Sequence, residues 1–364
     1  MTARINLSAD FYDRGGWGRH ARNFGAALAR RAHVALCGTN TERRHDHEPD
    51  GDVTAAGAAG FDYAAEPLSG AAGVALGSIA FLPHALGTPR ILATVWETTN
   101  VPPAYVHALA EADAVWVPTE WGRHVFVGAG LRDERVRVVP EGVDSELFRP
   151  SDSAETRERF RFLCVGKWEV RKGTALLVRA FAEEFSAAEP VELVMHCHNI
   201  YLGGFRLDAA IARELPRLAS APPRISASAA MSLAGLIALM QASDAFVLPT
   251  RGEAWGLPIL EAMACGLPCI VTDYGGHRTF ADATNSYLIG VERMAPVHDP
   301  ANFSPSLDWG AWAEPDVAHL RELMRHVFEH RGEAQARGAA ARVAAQRWTW
   351  DRAARAALEQ LAAT

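Results

Sequence analysis

Along the chain, short apolar runs alternate with stretches of helical period. Arg4–Ala9 reads as a strand, and Gly18–Arg31 as a helix with Phe24, Leu28 and small alanines on one face. His33–Gly38 returns as a strand. Thr39–Gly73 is polar or Ala/Gly-rich with little periodicity, so loops and weak elements are expected there. Arg90–Trp96 and Ala114–Thr119 are near-continuous apolar runs, the pattern of parallel strands covered by helices on both faces. Proline and small polar residues over Phe148–Ser153 mark a linker. Beyond it the alternation restarts, with strands at Arg161–Val165, Val191–His196, Arg224–Ala227, Ala245–Pro249 and Pro268–Thr272. Helices are expected at Thr174–Phe185, Leu233–Gln241 and Leu257–Ala264. From Asp316 the tail is helical, broken near Arg331–Gly332 and Trp348–Trp350. Two such series around one linker predict an α/β chain of two doubly wound domains, 1–150 and 151–345, followed by a last helix in 346–364. Ligands are then expected at the carboxyl ends of the strands, in the cleft between the domains.

Composition narrows the class. A chain of 364 residues, 49 % hydrophobic and 22 % charged, has enough apolar material for two packed cores. Its net charge of −7 argues against a dedicated nucleic-acid binder. No run approaches the ~18 apolar residues of a spanning helix, and the start of the chain lacks the apolar core of a signal peptide. Five cysteines, mostly inside apolar runs, read as buried free thiols of a reducing compartment, so a cytoplasmic location is expected.

Of 36 basic residues only Lys167 and Lys172 are lysine, and they lie five positions apart in Gly166-Lys167-Trp168-Glu169-Val170-Arg171-Lys172-Gly173. Lysine is a compact point charge that the planar arginine fork does not reproduce. Two ammoniums between the end of a strand and the start of a helix make a candidate diphosphate clamp. No P-loop pattern is present.

A second segment, Arg251-Gly252-Glu253-Ala254-Trp255-Gly256-Leu257-Pro258-Ile259-Leu260-Glu261, puts one carboxylate in a loop and another about two turns into a helix. Carboxylates accept hydrogen bonds from sugar hydroxyls, and the amides of Trp255, Gly256 and Leu257 would face phosphate. Glu261 falls among Leu260, Ala262 and Met263, a costly place for a charge without partners. A third segment, Gly15-Gly16-Trp17-Gly18, opens a helix after the first strand; glycines there let a ligand approach the backbone, or simply make a turn. Its spacing is not that of a dinucleotide fingerprint. Asp50-Gly51-Asp52 reads as a solvated turn. His45-Asp46-His47 and His196-x-His198 lack further ligands, so no metal site is expected.

Together the segments resemble the retaining glycosyltransferases of the GT-B fold, family 4 (glycosyl transferases group 1), over almost the whole chain. The resemblance rests on Gly15-Gly16-x-Gly18, Val139–Asp144 with Phe148 and Pro150, Val165-Gly166-Lys167 with Lys172-Gly173, Glu253-x7-Glu261 followed by Ala262–Pro268, and Trp348 and Trp350 before the last helix. It implies two Rossmann-like domains facing a central cleft. The first would serve the acceptor, the second would bind a nucleotide-diphosphate sugar, and the last helix would pack back toward the first. Lys167 and Lys172 would hold the diphosphate and stabilise the leaving group, Glu253 would contact donor-sugar hydroxyls, and Glu261 the ribose. Gly166 and the Trp255–Leu257 backbone would complete the donor site, while Gly15, Gly16 and Gly18 would approach donor phosphate or acceptor. No cofactor is implied, since the nucleotide-sugar is a substrate and the lysines neutralise its phosphates without a metal.

One departure stands out. Many relatives carry a histidine in the loop after the strand at Arg90–Trp96, where this chain has Trp96-Glu97-Thr98-Thr99-Asn100. Glu97 is a candidate acceptor or sugar contact, or a cap of the next segment. The expected activity is retaining transfer of a hexosyl unit to a glycan or lipid-linked acceptor, in bacterial surface polysaccharide synthesis. The arginine-rich N-terminal region, with Arg14, Arg19 and Arg22, is a candidate peripheral contact with the inner face of the membrane. The rival readings are a sugar-nucleotide epimerase or a phosphorylase on the same fold, and a non-catalytic subunit that binds nucleotide-sugar or glycan.

Overall fold

A computed structural model describes residues 2–13, 15–39, 62–152, 158–199, 201–215 and 222–364. Arg14, the Asp50–Asp52 pair and the His45–His47 pair lie outside them. The chain runs β1 (Arg4–Ala9), α1 (Gly16–Ala29), β2 (His33–Gly38), β3 (Ala72–Leu76), β4 (Arg90–Ala93), α2 (Pro103–Leu109), β5 (Ala114–Val117), α3 (Glu120–Gly128) and β6 (Val136–Val138). It continues through β7 (Phe160–Val165), α4 (Thr174–Glu184), β8 (Val191–His196), α5 (Leu207–Glu214), β9 (Arg224–Ala227), α6 (Leu233–Gln241), β10 (Ala245–Leu248) and α7 (Leu257–Ala264). Then follow β11 (Cys269–Thr272), β12 (Tyr287–Ile289), β13 (Val291–Pro296), β14 (Ala311–Pro315), α8 (Val317–Glu329), α9 (Arg331–Ala345) and α10 (Trp350–Ala362).

Two compact units result. Unit 1 comprises Met1–Asp144, Ser304–Gly310 and Trp348–Thr364; unit 2 comprises Ser145–Phe303 and Ala311–Arg347. Each is built on a six-stranded parallel sheet, as the strand–helix alternation predicts. No helix among the described residues is long and apolar enough to cross a membrane.

In unit 1 the strand order is β2-β1-β3-β4-β5-β6. β3 lies in the middle of this sheet and is buried along its whole length. It starts inside a stretch whose Ala/Gly composition reads as loop, because small side chains leave almost no periodic signal. Leu92, Val115, Val117 and Phe126 belong to one buried cluster beside β4, β5 and α3. α10 packs on α1. Its Thr349 cap accepts from the Arg352 amide at 3.2 Å, and Asp351 takes both arms of Arg31 at 2.6 and 2.8 Å.

In unit 2 the order is β12-β11-β10-β7-β8-β9. Counted from the first strand of the unit this is 3-2-1-4-5-6, so the direction of winding reverses between β7 and β10. In open α/β sheets, loops leaving the strands at such a point diverge and frame a ligand. Here they are the segments 166–173 and 249–256, the two that the sequence singles out. An antiparallel hairpin, β13 with β14, was not foreseen; it pairs Arg293 with Glu314 and Ala295 with Trp312.

Candidate functional site

The lysine loop begins where β7 ends. Gly173, at φ +67°, closes it; a Cβ there would lie 2.1 Å from the Pro249 carbonyl oxygen, so only glycine lets the loop seat against the end of β10. Backbone bonds stitch the two loops together. The Arg251 amide donates to the Arg171 carbonyl at 2.7 Å, and the Thr250 hydroxyl donates to the same carbonyl at 3.2 Å.

This stitching brings Lys172 and Glu253 together. Lys172 Nζ lies 2.5 Å from Glu253 Oε1, and both residues are buried. Arg171 stands beside them, its Nη1 donating to the Gly252 carbonyl at 2.7 Å and lying 3.7 Å from Glu253 Oε1. Its Nη2 donates to Glu169 Oε1 at 2.6 Å, while Lys167 Nζ lies 3.1 Å from Glu169 Oε2. Lys167 is the accessible member, with a side chain 37 % exposed against 9 % for Lys172. Burial pushes the Glu253 carboxyl up, but Lys172 and Arg171 together outweigh it and hold it below the ordinary carboxylate range. The same balance, with Arg171 and Lys167 as the main opposing charges, holds Glu169 down. Lys167, Arg171 and Lys172 thus gather about Glu169 and Glu253, an arrangement suited to an anion.

Arg251 anchors the second loop. Its Nε reaches Glu314 Oε1 at 2.8 Å, its Nη1 donates to the Val170 carbonyl, and its own carbonyl accepts from the Ala313 amide at 3.0 Å. Glu314 on β14 therefore braces the loop that carries Glu253. His277 sits 0 % exposed under this loop, its Nε2 2.7 Å from the Thr272 carbonyl, which makes that nitrogen the protonated one. Burial pushes its pKa down to about 4. Gly276 donates to the Glu253 carbonyl at 2.6 Å, and a Cβ at that position would lie 1.8 Å from the Ala254 oxygen.

Glu261 is buried on α7, but the helix starts only at Leu257, so this carboxylate lies about one turn in rather than two. Trp255 is 2 % exposed with its ring against Phe280 at 5.1 Å, so its indole is turned into the core. Gly256, in the left-handed region at φ +97°, forms the N-cap of α7. Gly166 has room for a Cβ, the nearest atom being 3.8 Å away.

The other candidates lie in unit 1. In the glycine loop the Asp13 carboxylate accepts from the amides of Gly15 and Gly18, each at 3.1 Å, so the chain supplies its own anion at the start of α1. Gly16 is open, with nothing within 4 Å of an added Cβ. Arg22 turns inward and donates to the carbonyls of Phe11 and Asp13. It is therefore no surface arginine. Glu97 lies half-buried in a turn closed by the Trp96 indole and the Thr98 hydroxyl, which both donate to the Asn100 carbonyl. His196 and His198 are engaged by Ser228, and no group of three potential metal ligands occurs among the described residues. All five cysteines are free and buried.

Sequence reasoning missed Glu169, Arg171, Arg251, His277 and Glu314. The first three lie inside the segments already singled out and carry charge, which was a usable signal. Nothing local marks His277 or Glu314, since both reach the site only through tertiary pairing.

Comparison with known proteins gives a consistent result. Residues 159–304 match the family described as glycosyl transferases group 1. A D-inositol 3-phosphate glycosyltransferase of Acidothermus cellulolyticus is 28 % identical over 251 residues, 64 % of this chain and 53 % of that protein. Mannosylfructose-phosphate synthase of Agrobacterium fabrum is 29 % identical over 46 % of this chain and 41 % of its own length. The chain thus spans about half the length of the curated relatives it matches. Anabaena Alr3699/HepE in complex with UDP-glucose superposes with a TM-score of 0.66 at 15 % identity, covering 99 % of this chain and 100 % of that one. Sucrose-phosphate synthase of Thermosynechococcus elongatus gives 0.66 at 18 % identity, over 99 % and 98 %. The fold is that of GT-B glycosyltransferases, and residues 159–304 belong to glycosyl transferases group 1.

Proposed function

We propose that this glycosyltransferase moves a hexosyl unit, with retention of configuration, from a nucleoside diphosphate sugar held by unit 2. The observation that carries this reading is the buried Lys172–Glu253 pair at 2.5 Å, set where the winding of the sheet reverses. Lys172 and Lys167 meet the diphosphate and stabilise the charge that grows on it as the glycosidic bond breaks. Glu253 accepts from hydroxyls of the donor sugar, Glu261 from the ribose, and the amides at Trp255–Leu257 face phosphate. Cationic side chains supply the neutralising charge, so the reaction runs without a divalent metal. The superposed Anabaena proteins are complexes with UDP or UDP-glucose, which makes uridine the first base to try.

For the acceptor, a glycan or lipid-linked glycan of surface polysaccharide synthesis is one class, and Gly15–Gly18 and Glu97 are its proposed contacts. The names of the relatives favour a second class, since they contain a phosphorylated inositol or sugar. Peripheral membrane contact fits the first class only.

The test is a thermal-shift panel of UDP, GDP, ADP, dTDP and NAD, each with and without EDTA, followed by product analysis. Stabilisation amounts to about 2.7 kcal/mol at a hundredfold excess over Kd. A shift with one nucleoside diphosphate, unchanged by EDTA, and an α-linked product from an α-linked donor are expected. A shift with NAD alone overturns the reading, and consumption of nucleotide-sugar without any acceptor favours an epimerase.

A further inference from the structure

Among the charged groups at the ends of β7 and β10, Arg171 is the one that the chemistry above leaves without a task. Its guanidinium is fastened on two sides, by Glu169 Oε1 at 2.6 Å and the Gly252 carbonyl at 2.7 Å, and lies 3.7 Å from Glu253 Oε1. Lys172 touches the same Glu253 oxygen at 2.5 Å, and among the described residues this is its only hydrogen bond. A planar fork held at two edges keeps its place, whereas an ammonium on a flexible four-carbon stem is free to exchange one partner for another.

We propose that Arg171 is a positioning residue: it is the standing counter-ion of Glu253, keeping that carboxylate charged and in place while Lys172 turns to an anionic ligand.

The need for such a group follows from burial. Glu253 is 4 % exposed, and a carboxylate in that position without a cation takes up a proton. If Lys172 were both its sole counter-ion and the ligand's clamp, binding the anion would discharge Glu253 just when its acceptor oxygens are wanted. Arg171 removes the conflict. Glu169 completes the device, since its grip on Nη2 stops the guanidinium from following the ligand as well. The groups that face Glu253 are Lys172 and Arg171 from the loop after β7 and His277 from beyond β11. His277 stays neutral above about pH 4 and supplies no charge, and Arg251 is engaged by Glu314. The identity of the anion rests on the donor-site reading above; the pairing of Arg171 with Glu253 does not.

The test follows the Glu253 carboxyl by carbon NMR through a pH titration, its signal assigned by loss in Glu253→Gln. In ligand-free Lys172→Met the midpoint is expected to stay within or below the ordinary carboxylate range. In Lys172→Met combined with Arg171→Met it should rise by about two pH units or more. A rise in Lys172→Met alone as large as in the double variant overturns the proposal. Wild type saturated with UDP needs no variant to fold: its midpoint should remain low, and a rise toward neutrality on saturation also overturns the proposal. Failure of every nucleoside diphosphate to bind would instead refute the donor-site reading, while the ligand-free titrations still decide the role of Arg171.

Discussion

In unit 1 the loop after β1 closes on itself: Asp13 fills the amides of Gly15 and Gly18, and Arg22 turns inward to the carbonyls of Phe11 and Asp13. In unit 2 the loop after β7 is held to its neighbour by Gly173 and Arg251, and it sets Lys167, Arg171 and Lys172 against Glu169 and Glu253. Both loops leave the first strand of a parallel sheet beside the point where the winding reverses. The same position in a parallel sheet therefore serves two electrostatic ends. One loop satisfies its own polar groups, and the other gathers three cations about two carboxylates, an arrangement suited to an added anion.

Removing one of these cations should do the most damage. Lys172→Ala is expected to lower the transfer rate about 10³-fold, roughly 4 kcal/mol of transition-state stabilisation. Glu253→Gln should cost about 10²-fold through lost sugar contacts. Nucleoside diphosphate release measured with donor and acceptor checks both, with circular dichroism confirming the fold. Near-normal turnover in Lys172→Ala would take the clamp out of the mechanism, and an unaffected rate in Glu253→Gln would remove the sugar contact.

The next effect concerns pH. His277 is pushed down to about 4 in the folded protein, from an ordinary value near 6.5. Above that ordinary value both states are neutral and nothing is lost. As pH falls from about 6.5 to 4 the unfolded chain takes up a proton that the folded one refuses, at a cost of roughly 1.4 kcal/mol per pH unit and about 3 kcal/mol in all. Glu253 and Glu169 act in the opposite sense and lower down. Their folded values are depressed, so they stabilise above the ordinary carboxylate range, and that stability goes as pH falls through the depressed values. Urea unfolding at pH 7, 6 and 5 should show the histidine limb in wild type, and His277→Gln should make it shallower without abolishing it, because burial pushes His20 down as well, to about 3. An unchanged slope in the variant would assign the limb to another group.

How far the sequence foretold this arrangement depends on how each feature is encoded. The βα alternation and the two charged loops are local patterns, and they were legible as residue types at fixed spacing. Lys167 with Lys172, and Glu253 with Glu261, stand out for that reason. β3 was not legible, because Ala-Gly-Val-Ala-Leu has too little side-chain volume to show a period. The β13–β14 hairpin, and with it Glu314, was missed because its partner Arg251 is 63 residues away in sequence. Arg171 was in view all along. Its weight comes from being clamped between Glu169 and Gly252, a fact of geometry that arginine in an arginine-rich chain does not announce.

Glycine substitutions probe the two loops at a smaller scale. Gly173→Ala places a Cβ 2.1 Å from the Pro249 carbonyl in a left-handed conformation, and about 2 kcal/mol of stability should be lost. Gly16→Ala meets nothing within 4 Å and should change stability by no more than about 0.5 kcal/mol. Urea midpoints for the pair check whether seating against a neighbouring strand is peculiar to the unit 2 loop. Equal losses would show that both loops are packed with the same tolerance.

The smallest expected effect reaches furthest into the comparison. Asp13→Ala removes the carboxylate that accepts from Gly15 and Gly18, and a lost helix cap typically costs about 1 kcal/mol. The two amides then lose their internal anion at the positive end of α1. The variant should accordingly gain more thermal stability from inorganic phosphate than wild type does, because an external anion now takes the place Asp13 held. A loss of stability that phosphate does not restore would mean that Asp13 shapes the loop without standing in for a ligand. A variant as stable as wild type would show that the loop owes little to this carboxylate, and the contrast between a self-satisfied and a cation-rich loop would rest on unit 2 alone.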